Sequence, residues 1–280
     1  MHLFAIVTVI IIAGSIRLQS ISGDRAWFER WYRALFLLLF PALLILVTAI
    51  SVLYMGCHGA MLGIKAGSWG CGLAGSLILY AVGCLIMLTY QSHRSIANLA
   101  PYPQQSLGDE TARLIDLELP YSAQIGFWHP QLVISDGLIN SLDKEHLGAV
   151  LAHEQAHLYY RDTFWFFWLG WMRLFTSWLP NTQTLWHELL LLRELRADRK
   201  ATETVDFLIL AESLLTVAQA PLKSNVVASA NFNDYSLGDR LNERIDFLLE
   251  EKTSDSVNHW QNLSWIWLLC LPLLTIPFHY

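Results

Sequence analysis

The chain has 280 residues, of which 54% are hydrophobic and only 15% carry a charged side chain. Soluble proteins average about 25% charged residues, so this composition favours a membrane protein. The net charge of -6 and the lack of a long basic run argue against direct nucleic-acid binding. The twelve tryptophans also favour a membrane protein, because this residue collects at membrane–water interfaces.

Four apolar stretches predict membrane spans, at about residues 3–16, 34–55, 69–90 and 263–280. A transmembrane helix needs about 20 mostly apolar residues, and the second stretch meets this requirement most clearly. Four arginines cluster in residues 17–33, whereas Lys65 is the only lysine or arginine in residues 56–68. Because positive loops stay in the cytoplasm, we expect a multi-pass protein with residues 91–262 on the cytoplasmic side.

The four cysteines all lie in or beside apolar stretches. Cys57 and Cys71 flank the short loop that we expect to face outwards. They can pair if that loop meets an oxidising compartment, and the sequence leaves this open. Cys84 and Cys270 are interpreted as small packing residues.

Residues 151–162 read LAHEQAHLYYRD and contain an H-E-x-x-H motif from His153 to His157. On a helix, residues four apart lie on one face, so both imidazoles can reach one metal ion. Glu154 stands beside them, where its carboxylate can take a proton from an attacking water. Asp143 is the predicted cap of this helix. Because a short motif also arises by chance, the assignment needs a further ligand.

A second pair of polar residues with helical spacing follows in E-L-R-A-D, where Glu194 and Asp198 are four residues apart. A catalytic zinc site needs three protein ligands and an open fourth position. We expect Glu194 to be the third ligand and Asp198 to accept the ring N–H of a zinc-bound histidine. The alternative is a solvated helix face on which Arg193, Arg196 and Arg199 pair with these acids.

An aromatic stretch at residues 164–179 separates the two motifs and resembles a further span. A full crossing would place Glu194 about 30 Å from His157, which excludes a shared metal ion. We therefore expect a helical hairpin at about residues 163–204, embedded in the membrane or lying at its surface. The alternative is a buried helix of a soluble domain.

Two polar stretches, residues 98–110 and 225–238, predict a linker and a loop.

Residues 126–162 read GFWHPQLVISDGLINSLDKEHLGAVLAHEQAHLYYRD and resemble the membrane-bound zinc metallopeptidase domain of the BlaR/MecR antirepressor family. Gly126 and Pro130 match the family's G-x-x-x-P segment. An apolar strand, the H-E-x-x-H helix and E-L-R-A-D then follow in the family's order. The resemblance is specific over residues 126–200 and weaker elsewhere. Because the chain ends at Tyr280, we expect it to lack the penicillin-binding sensor domain of the antibiotic sensors.

The resemblance implies a mainly α membrane protein, whose transmembrane helices surround a cytoplasmic α+β gluzincin-type domain with a small edge sheet. It implies one zinc ion per chain, bound by His153, His157 and Glu194, with Glu154 as the general base. The implied location is a bacterial inner or plasma membrane.

The expected domains are N-terminal transmembrane helices in residues 1–92, the metallopeptidase domain in 93–262 and a C-terminal transmembrane helix in 263–280. In metallopeptidases of this type, an edge strand pairs with the substrate backbone. The candidate contacts on that strand are Gly126, Leu132, Val133 and Ile134. The candidate donors to the oxyanion, among which the sequence does not choose, are Tyr159, His187 and Arg193.

Three functions are compatible with the sequence. The first is a membrane zinc endopeptidase that cleaves a transcriptional repressor, another cytoplasmic or membrane regulator, or itself. The second is a quality-control or processing protease like the HtpX and CAAX-prenyl families, which share H-E-x-x-H and a later E-x-x-x-D. The third is a non-catalytic sensor or scaffold with a structural zinc, but such sites are normally closed by four protein ligands. The expected partners are a protein or peptide substrate and the lipid bilayer, and a homodimer is compatible with the sequence.

Overall fold

The computed structural model describes residues 1–19, 26–58, 60–61, 64–65, 67–107, 110–223, 234–249 and 261–278. This part of the chain is mainly helical, with a small sheet, and divides into two compact units. Unit 1 comprises residues 1–89, 168–192 and 255–280, and unit 2 comprises residues 90–167 and 193–254. Residues 168–192 are therefore part of unit 1, although they lie between two segments of unit 2 in the sequence.

Unit 1 is built around three apolar helices, α1 (His2–Arg17), α2 (Trp27–Met55) and the first part of α3 (Ser68–Leu99). Two short strands, β1 (Ala60–Met61) and β2 (Ile64–Lys65), form an antiparallel pair between α2 and α3. By length and composition, α2 and α3 are able to cross a membrane, and α1 is a shorter apolar helix. Two of the predicted spans therefore fall within helices of sufficient length.

A disulfide bond joins Cys57, just after α2, to Cys71, in the first turn of α3. The two Cα atoms are 5.6 Å apart, a normal separation for a disulfide. Both cysteines are in an apolar cluster that includes Ile6 and Ala49. The pairing that the sequence left open is therefore present, and it closes the connection between the two long helices.

The C-terminal stretch differs from the expected transmembrane helix. It consists of two 3-10 helices, Gln261–Cys270 and Leu273–Phe278, rather than one continuous α-helix, and its location in a membrane stays a prediction. Pro272 and Pro277 explain the difference, because proline lacks a backbone N–H and its ring clashes with the preceding helical turn. Trp265 packs edge-on against aromatic rings of α2, including Phe36 at 5.5 Å.

The remaining helices are α4 (Asp136–Ser141), α5 (Lys144–Tyr159), α6 (Asp162–Phe175), α7 (Thr182–Ala201), α8 (Phe207–Lys223) and α9 (Asp234–Leu249). Within unit 1, the end of α6 lies beside the start of α7, since Arg173 donates to Gln183 at 2.9 Å and lies 5.1 Å from the ring of Trp186. The turn between them contains Asn181 with a φ of 57°. The location of this hairpin in or on a bilayer stays a prediction.

The buried guanidinium of Arg17 holds that turn in place. It donates to Thr182 Oγ1 at 3.1 Å, to Thr176 Oγ1 at 2.9 Å and to the carbonyl of Leu38 at 3.2 Å. In return, Asn181 Nδ2 donates to the carbonyl of Arg17 at 2.8 Å. The C-terminal end of α1 is thus hydrogen-bonded to both ends of the α6–α7 turn.

Unit 2 contains a sheet of four strands, β3 (Gln104–Leu107), β4 (Glu110–Ile115), β5 (Ser122–Ile125) and β6 (Gln131–Ser135). Their order is β3-β4-β6-β5, in which only the β4–β6 pair is parallel. One face of the sheet packs against α4 and α5 through a core of Ala112, Leu132, Ile134, Leu138 and Val150. This packing fixes β5 and β6 beside the helix that carries the H-E-x-x-H motif.

Two predictions about irregular segments are wrong in part. The expected linker at residues 98–110 contains the end of α3 and all of β3. Because the first three side chains of β3 are exposed and polar, this edge strand has no apolar alternation that would reveal it. The expected loop at residues 225–238 overlaps α9, which begins at Asp234, and the rest of that loop lies outside the described residues.

Candidate metal centre

Helix α5 positions both histidines of the motif. Its first turn is capped by Asp143, whose side chain accepts from the backbone N–H groups of Glu145 and His146 at 3.0 and 2.9 Å, which confirms the predicted cap. The opposite part of the helix packs on apolar neighbours through Ala149 and Val150. His153 and His157, four residues apart, are both buried on one side of α5.

Three donor atoms converge beside this helix. His153 Nε2 lies 3.2 Å from Glu194 Oε2, and His157 Nε2 lies 3.6 Å from the same oxygen. The two Nε2 atoms are 3.1 Å apart. The ligand atoms all lie within 4.8 Å of one another, so the structure brings together the three residues that the sequence predicted as metal ligands.

The other nitrogen of each imidazole faces a buried carboxylate. His153 Nδ1 lies 2.8 Å from Asp198 Oδ1, and His157 Nδ1 lies 2.7 Å from Asp162 Oδ2. Such partners fix the ring orientation and leave Nε2 available to a metal ion. Asp198 has the position expected for it. Asp162 was not predicted as a site residue, although its place five residues after His157 is visible in the motif.

A left-handed residue makes the Asp162 contact sterically accessible. Arg161, between α5 and α6, has a φ of 53°, a value uncommon for residues other than glycine. The chain therefore turns sharply after α5, and the first residue of α6 faces back towards His157. Arg196 also binds Asp162, and its guanidinium lies 4.2 Å from the ring of Tyr160.

Arg244, from α9, is a further site residue that was not predicted from the sequence. Its Nε and Nη2 donate to the two oxygens of Asp198 at 2.7 and 2.8 Å. Its Nη1 also lies 3.8 Å from Glu194 Oε2. Asp198 is completely buried, so it is not part of the solvated ion-pair face considered as the alternative. Helix α9 contains two arginines, Arg240 and Arg244, and no spacing rule in the sequence connects either of them to Asp198.

Burial and charge act in opposite directions on these groups. Burial disfavours the charged form of His153, but the carboxylates of Asp198 and Glu194 outweigh it and raise the pKa of His153 to about 9. Burial likewise opposes ionisation of Glu194, yet hydrogen bonds from His153 and His157 hold its pKa well below the usual value. For Asp198, the charge of Arg244 overcomes burial and lowers the pKa. The carboxylates are therefore ionised at neutral pH, as metal ligands and their supports need to be.

Glu154 is buried next to the ligand cluster and is only partly satisfied by protein. Its Oε1 accepts a hydrogen bond of 2.7 Å from Ser122 Oγ in β5. Its Oε2 has no hydrogen-bond partner within the described part of the chain. A buried carboxylate oxygen without a partner costs free energy, so this atom is suited to a water or another exogenous group. Ser122 was not identified from the sequence.

The donor set fits a zinc ion. Imidazole nitrogens and carboxylate oxygens bind zinc at about 2.0–2.2 Å, and two such ligands at a tetrahedral angle are roughly 3.4 Å apart. The separations of 3.1, 3.2 and 3.6 Å among His153, His157 and Glu194 agree with that spacing. Three protein ligands are typical of a catalytic zinc site, whereas a structural site normally has four.

The predicted substrate-binding strand is wrong. Leu132, Val133 and Ile134 are in β6, which is hydrogen-bonded to β4 on one side and to β5 on the other, and their side chains are buried. An interior strand has no free backbone groups to pair with a peptide. Gly126 is outside this strand and follows β5, with a φ of 131°. The strand at the edge of the sheet beside α5 is β5.

Two of the three candidate oxyanion donors, Tyr159 and Arg193, belong to unit 2. Arg193 donates through Nε and Nη2 to Glu194 Oε1, at 2.9 and 2.6 Å. Tyr159 is 68% exposed, and its ring lies 4.6 Å from Lys200 Nζ. His187 belongs to unit 1. Arg193 therefore contacts the candidate ligand Glu194 directly.

Residues 119–233 match the model of Peptidase family M48, whose members are metallopeptidases and generally depend on zinc. The matched segment contains β5, β6, the H-E-x-x-H helix and the three candidate ligands, and it ends before Arg244. No curated protein and no solved structure matched the chain. The match supports a metallopeptidase, and it does not single out the antirepressor family.

Proposed function

We propose that this chain is a membrane zinc metalloendopeptidase. In this proposal His153, His157 and Glu194 hold the ion, and Glu154 is the general base. The observation that carries it is the convergence of three ligand atoms within 4.8 Å, beside a buried glutamate, inside a segment that matches a metallopeptidase family.

Each residue of the site has its own proposed role in peptide hydrolysis. A zinc ion at this site would supply the Lewis acidity that polarises the scissile carbonyl. Glu154 takes a proton from the attacking water and then delivers a proton to the leaving amine. Asp198 and Asp162 hold the two imidazole rings in orientation, and Arg244 holds Asp198. The partnerless Oε2 of Glu154 is the atom available for this proton transfer.

The substrate backbone is proposed to pair with the outer edge of β5, which has no neighbouring strand among the described residues. Main-chain hydrogen bonds to an exposed sheet edge are a common way to bind an extended peptide. Two side chains of β5 contact Glu154, through Ser122 Oγ at 2.7 Å and through Gln124 Nε2, which donates to the Glu154 carbonyl at 3.5 Å. A peptide added to this edge is therefore close to the general base.

The membrane location is supported by the surface of α3. Its large apolar side chains are exposed, including Leu79 at 74% and Ile86 at 64%. Water-soluble monomers rarely expose a long apolar helix face, whereas lipid tails accommodate it. The disulfide between Cys57 and Cys71 favours an oxidising compartment for the loop between α2 and α3. With that loop outside, the chain re-enters the cytoplasm after α3, and unit 2 faces the cytoplasm.

The substrate proposed first is a single regulator, such as a transcriptional repressor, because of the resemblance in residues 126–162. Quality control or processing is the second candidate, because an H-E-x-x-H followed by E-x-x-x-D is shared with the HtpX and CAAX-prenyl families. The two differ in the number of substrates rather than in chemistry. A purely structural zinc is disfavoured by the three-ligand donor set and by the partnerless oxygen of Glu154.

The test compares protein N-termini by mass spectrometry in host cells carrying wild-type protein or Glu154→Gln. This substitution removes the base and keeps the shape, so we expect cleavage to fall by roughly 10²–10⁴-fold. The matched control is Glu145→Gln, an exposed glutamate of the same helix, which should leave the N-termini unchanged. Zinc content of all three proteins is measured in parallel.

The number of N-termini that disappear distinguishes the candidates. Loss of a few indicates a regulator and names it. Loss of many favours quality control. If zinc is bound and no N-terminus depends on Glu154 under any stress applied, the peptidase proposal is overturned.

A further inference from the structure

An exposed aromatic surface borders the metal centre within unit 2. It is formed by Phe127 and Trp128 after β5, Leu158 at the end of α5, and Phe164 and Trp165 at the start of α6, and we call it the aromatic rim. The exposed fraction is 74% for Trp128, 58% for Trp165 and 40% for Leu158. Exposed tryptophans at this density are unusual on a surface that meets only water.

The aromatic rim is a built feature rather than a set of stray side chains. Phe127 stacks on Phe164 at 5.1 Å and meets Trp128 edge-on at 4.8 Å. Trp128 in turn lies 5.6 Å from Phe164. The loop begins at Gly126, whose φ of 131° suits glycine, and a Cβ there would lie 2.8 Å from the carbonyl oxygen of His129. Packing and backbone together therefore hold this loop against α6.

Each segment of the aromatic rim comes directly from the candidate active site. Leu158 follows the ligand His157, and Phe164 is two residues after Asp162. Phe127 is two residues beyond the last residue of β5, the strand proposed to bind substrate. The end of the β5 edge, to which the substrate is proposed to pair, is therefore two residues away from the aromatic rim.

Three features indicate what covers this surface. Tryptophan is the residue that collects at the headgroup level of membranes, because its ring is apolar and its N–H is polar. The chain enters unit 2 directly from α3, one of the two helices able to cross a membrane. The exposed Arg161 lies between the α5 and α6 parts of the aromatic rim, where a cation suits anionic lipid headgroups.

We propose that the aromatic rim sits in the headgroup region of the bilayer, and that the substrates are membrane-anchored polypeptides cut in the segment beside the bilayer. This inference rests on the proposed peptidase function and narrows its substrate class: a regulator cleaved by this protein is then a membrane-anchored one rather than a soluble repressor. A polypeptide that leaves the bilayer beside the aromatic rim meets the β5 edge within a few residues. Its scissile bond is then next to Glu154 without any unfolding of a distant domain.

The test uses spin labels on the full chain in vesicles of mixed phosphatidylcholine and phosphatidylglycerol. The free cysteines are first removed by Cys84→Ser and Cys270→Ser. Single cysteines are then introduced by Trp128→Cys, Trp165→Cys or, as a control, Glu145→Cys. Glu145 is exposed and 13 residues before Leu158 on α5, which is about 20 Å along the helix.

We expect labels at positions 128 and 165 to collide several-fold more often with oxygen than with a water-soluble nickel reagent, relative to the label at 145. This pattern marks a lipid environment. If both labels are as accessible to nickel as the control, the aromatic rim meets water and the inference is overturned. Labels shielded from both reagents would mean that protein covers the surface, which also overturns it.

A second measurement separates a lipid-binding role from a substrate-binding one. The double variant Trp128→Ser, Trp165→Ser is assayed on casein in detergent and, by N-terminal mass spectrometry, on membrane proteins in cells. We expect unchanged casein cleavage and a several-fold loss of membrane-protein cleavage. A parallel loss on casein would show that the aromatic rim receives substrate side chains instead. Casein cleavage and zinc binding by wild-type protein test the peptidase proposal separately, so the two failures are distinguishable.

Discussion

Each unit holds a positively charged arginine within its packing, completely buried in unit 1 and partly buried in unit 2, and the two units compensate the charge differently. In unit 1, the completely buried Arg17 donates to two threonine hydroxyls and a carbonyl, and none of its hydrogen bonds to described residues ends on a carboxylate. In unit 2, Arg244 donates through two nitrogens to the carboxylate of Asp198, which also faces His153. The first arrangement joins backbone elements, whereas the second forms part of a chain of ionic groups.

The difference indicates which buried charges serve chemistry. A buried ion that only has to hold a turn can be satisfied by neutral oxygens, as Arg17 is. A cluster that has to keep histidines oriented and carboxylates ionised needs an oppositely charged partner for each buried charged group. The network from Arg244 through Asp198 to His153 has this form. Four experiments can break or sharpen this comparison, and they follow from the largest expected effect to the smallest.

The largest effect is expected from removing a metal ligand. Loss of a residue that only supports a metal ligand typically lowers metal affinity by about 10–100-fold. Because Glu194 is proposed to bind the ion itself, Glu194→Ala should lower zinc affinity by more than about 100-fold. The matched control is Glu188→Ala on the same helix, which removes the partner of Arg30 in unit 1. Zinc content per chain after dialysis measures both. Equal zinc content in the two variants would remove Glu194 from the ligand set.

The completely buried Arg17 and the partly buried Arg244 should differ sharply when each is replaced by methionine. Arg244→Met leaves Asp198 buried beside His153 without its cation, and we expect a loss of about 3–5 kcal/mol in unfolding free energy. Arg17→Met should change it by less than about 1 kcal/mol, since only neutral partners are left behind. Those partners keep other hydrogen bonds, such as Thr176 Oγ1 to Met172 O at 2.7 Å. Denaturant unfolding in detergent measures both, and equal losses would contradict the comparison.

A smaller effect is expected at the carboxylate behind the second histidine. Asp162→Asn keeps the size of the side chain but weakens the orientation of His157, so zinc affinity should fall by about 10–100-fold. Asp143→Asn, at the exposed cap of α5, is the control and should leave zinc affinity unchanged. Competition with a zinc-binding dye gives both affinities. An unchanged affinity in Asp162→Asn would assign that residue to the fold rather than to the metal centre.

The smallest effect is a pH dependence of the metal-free protein. The pKa of His153 rises from 6.5 to about 9 on folding, so its stabilising charge is fully present below pH 6.5 and is lost as pH rises through 9. The pKa of Glu194 is lowered on folding, so the stability contributed by its charge is fully present at any pH above the ordinary pKa of a glutamate. This contribution therefore does not change between pH 6.5 and pH 9. The thermal midpoint of metal-free protein should therefore fall between pH 6.5 and pH 9. Zinc affinity should rise over the same range, because binding releases the proton. A midpoint that rises with pH would contradict the assignment.

The parts of the centre that share one helix were predictable. His153 and His157 are four residues apart, as are Glu194 and Asp198, and helical geometry alone aligns each pair. That the two pairs meet was inferred from the need of zinc for a third ligand. Ser122 and Arg244 were not found, because they reach the site from a strand and a helix 32 and 46 residues away from their partners. The error about β6 has the same origin, since which strand is at the edge depends on pairing order and not on composition.

The sequence by itself predicted two helices long and apolar enough to cross a membrane, the helix of the H-E-x-x-H motif and the three residues that the structure brings together as candidate metal ligands, because hydropathy and helical spacing are local properties. Only the tertiary structure decided that Cys57 pairs with Cys71, that β5 is an edge strand, that Asp198 is paired with Arg244, and that aromatic residues from two separate segments pack into one surface. These features depend on contacts between segments distant in the chain. Such contacts follow from packing of the whole unit, which no short window of sequence contains.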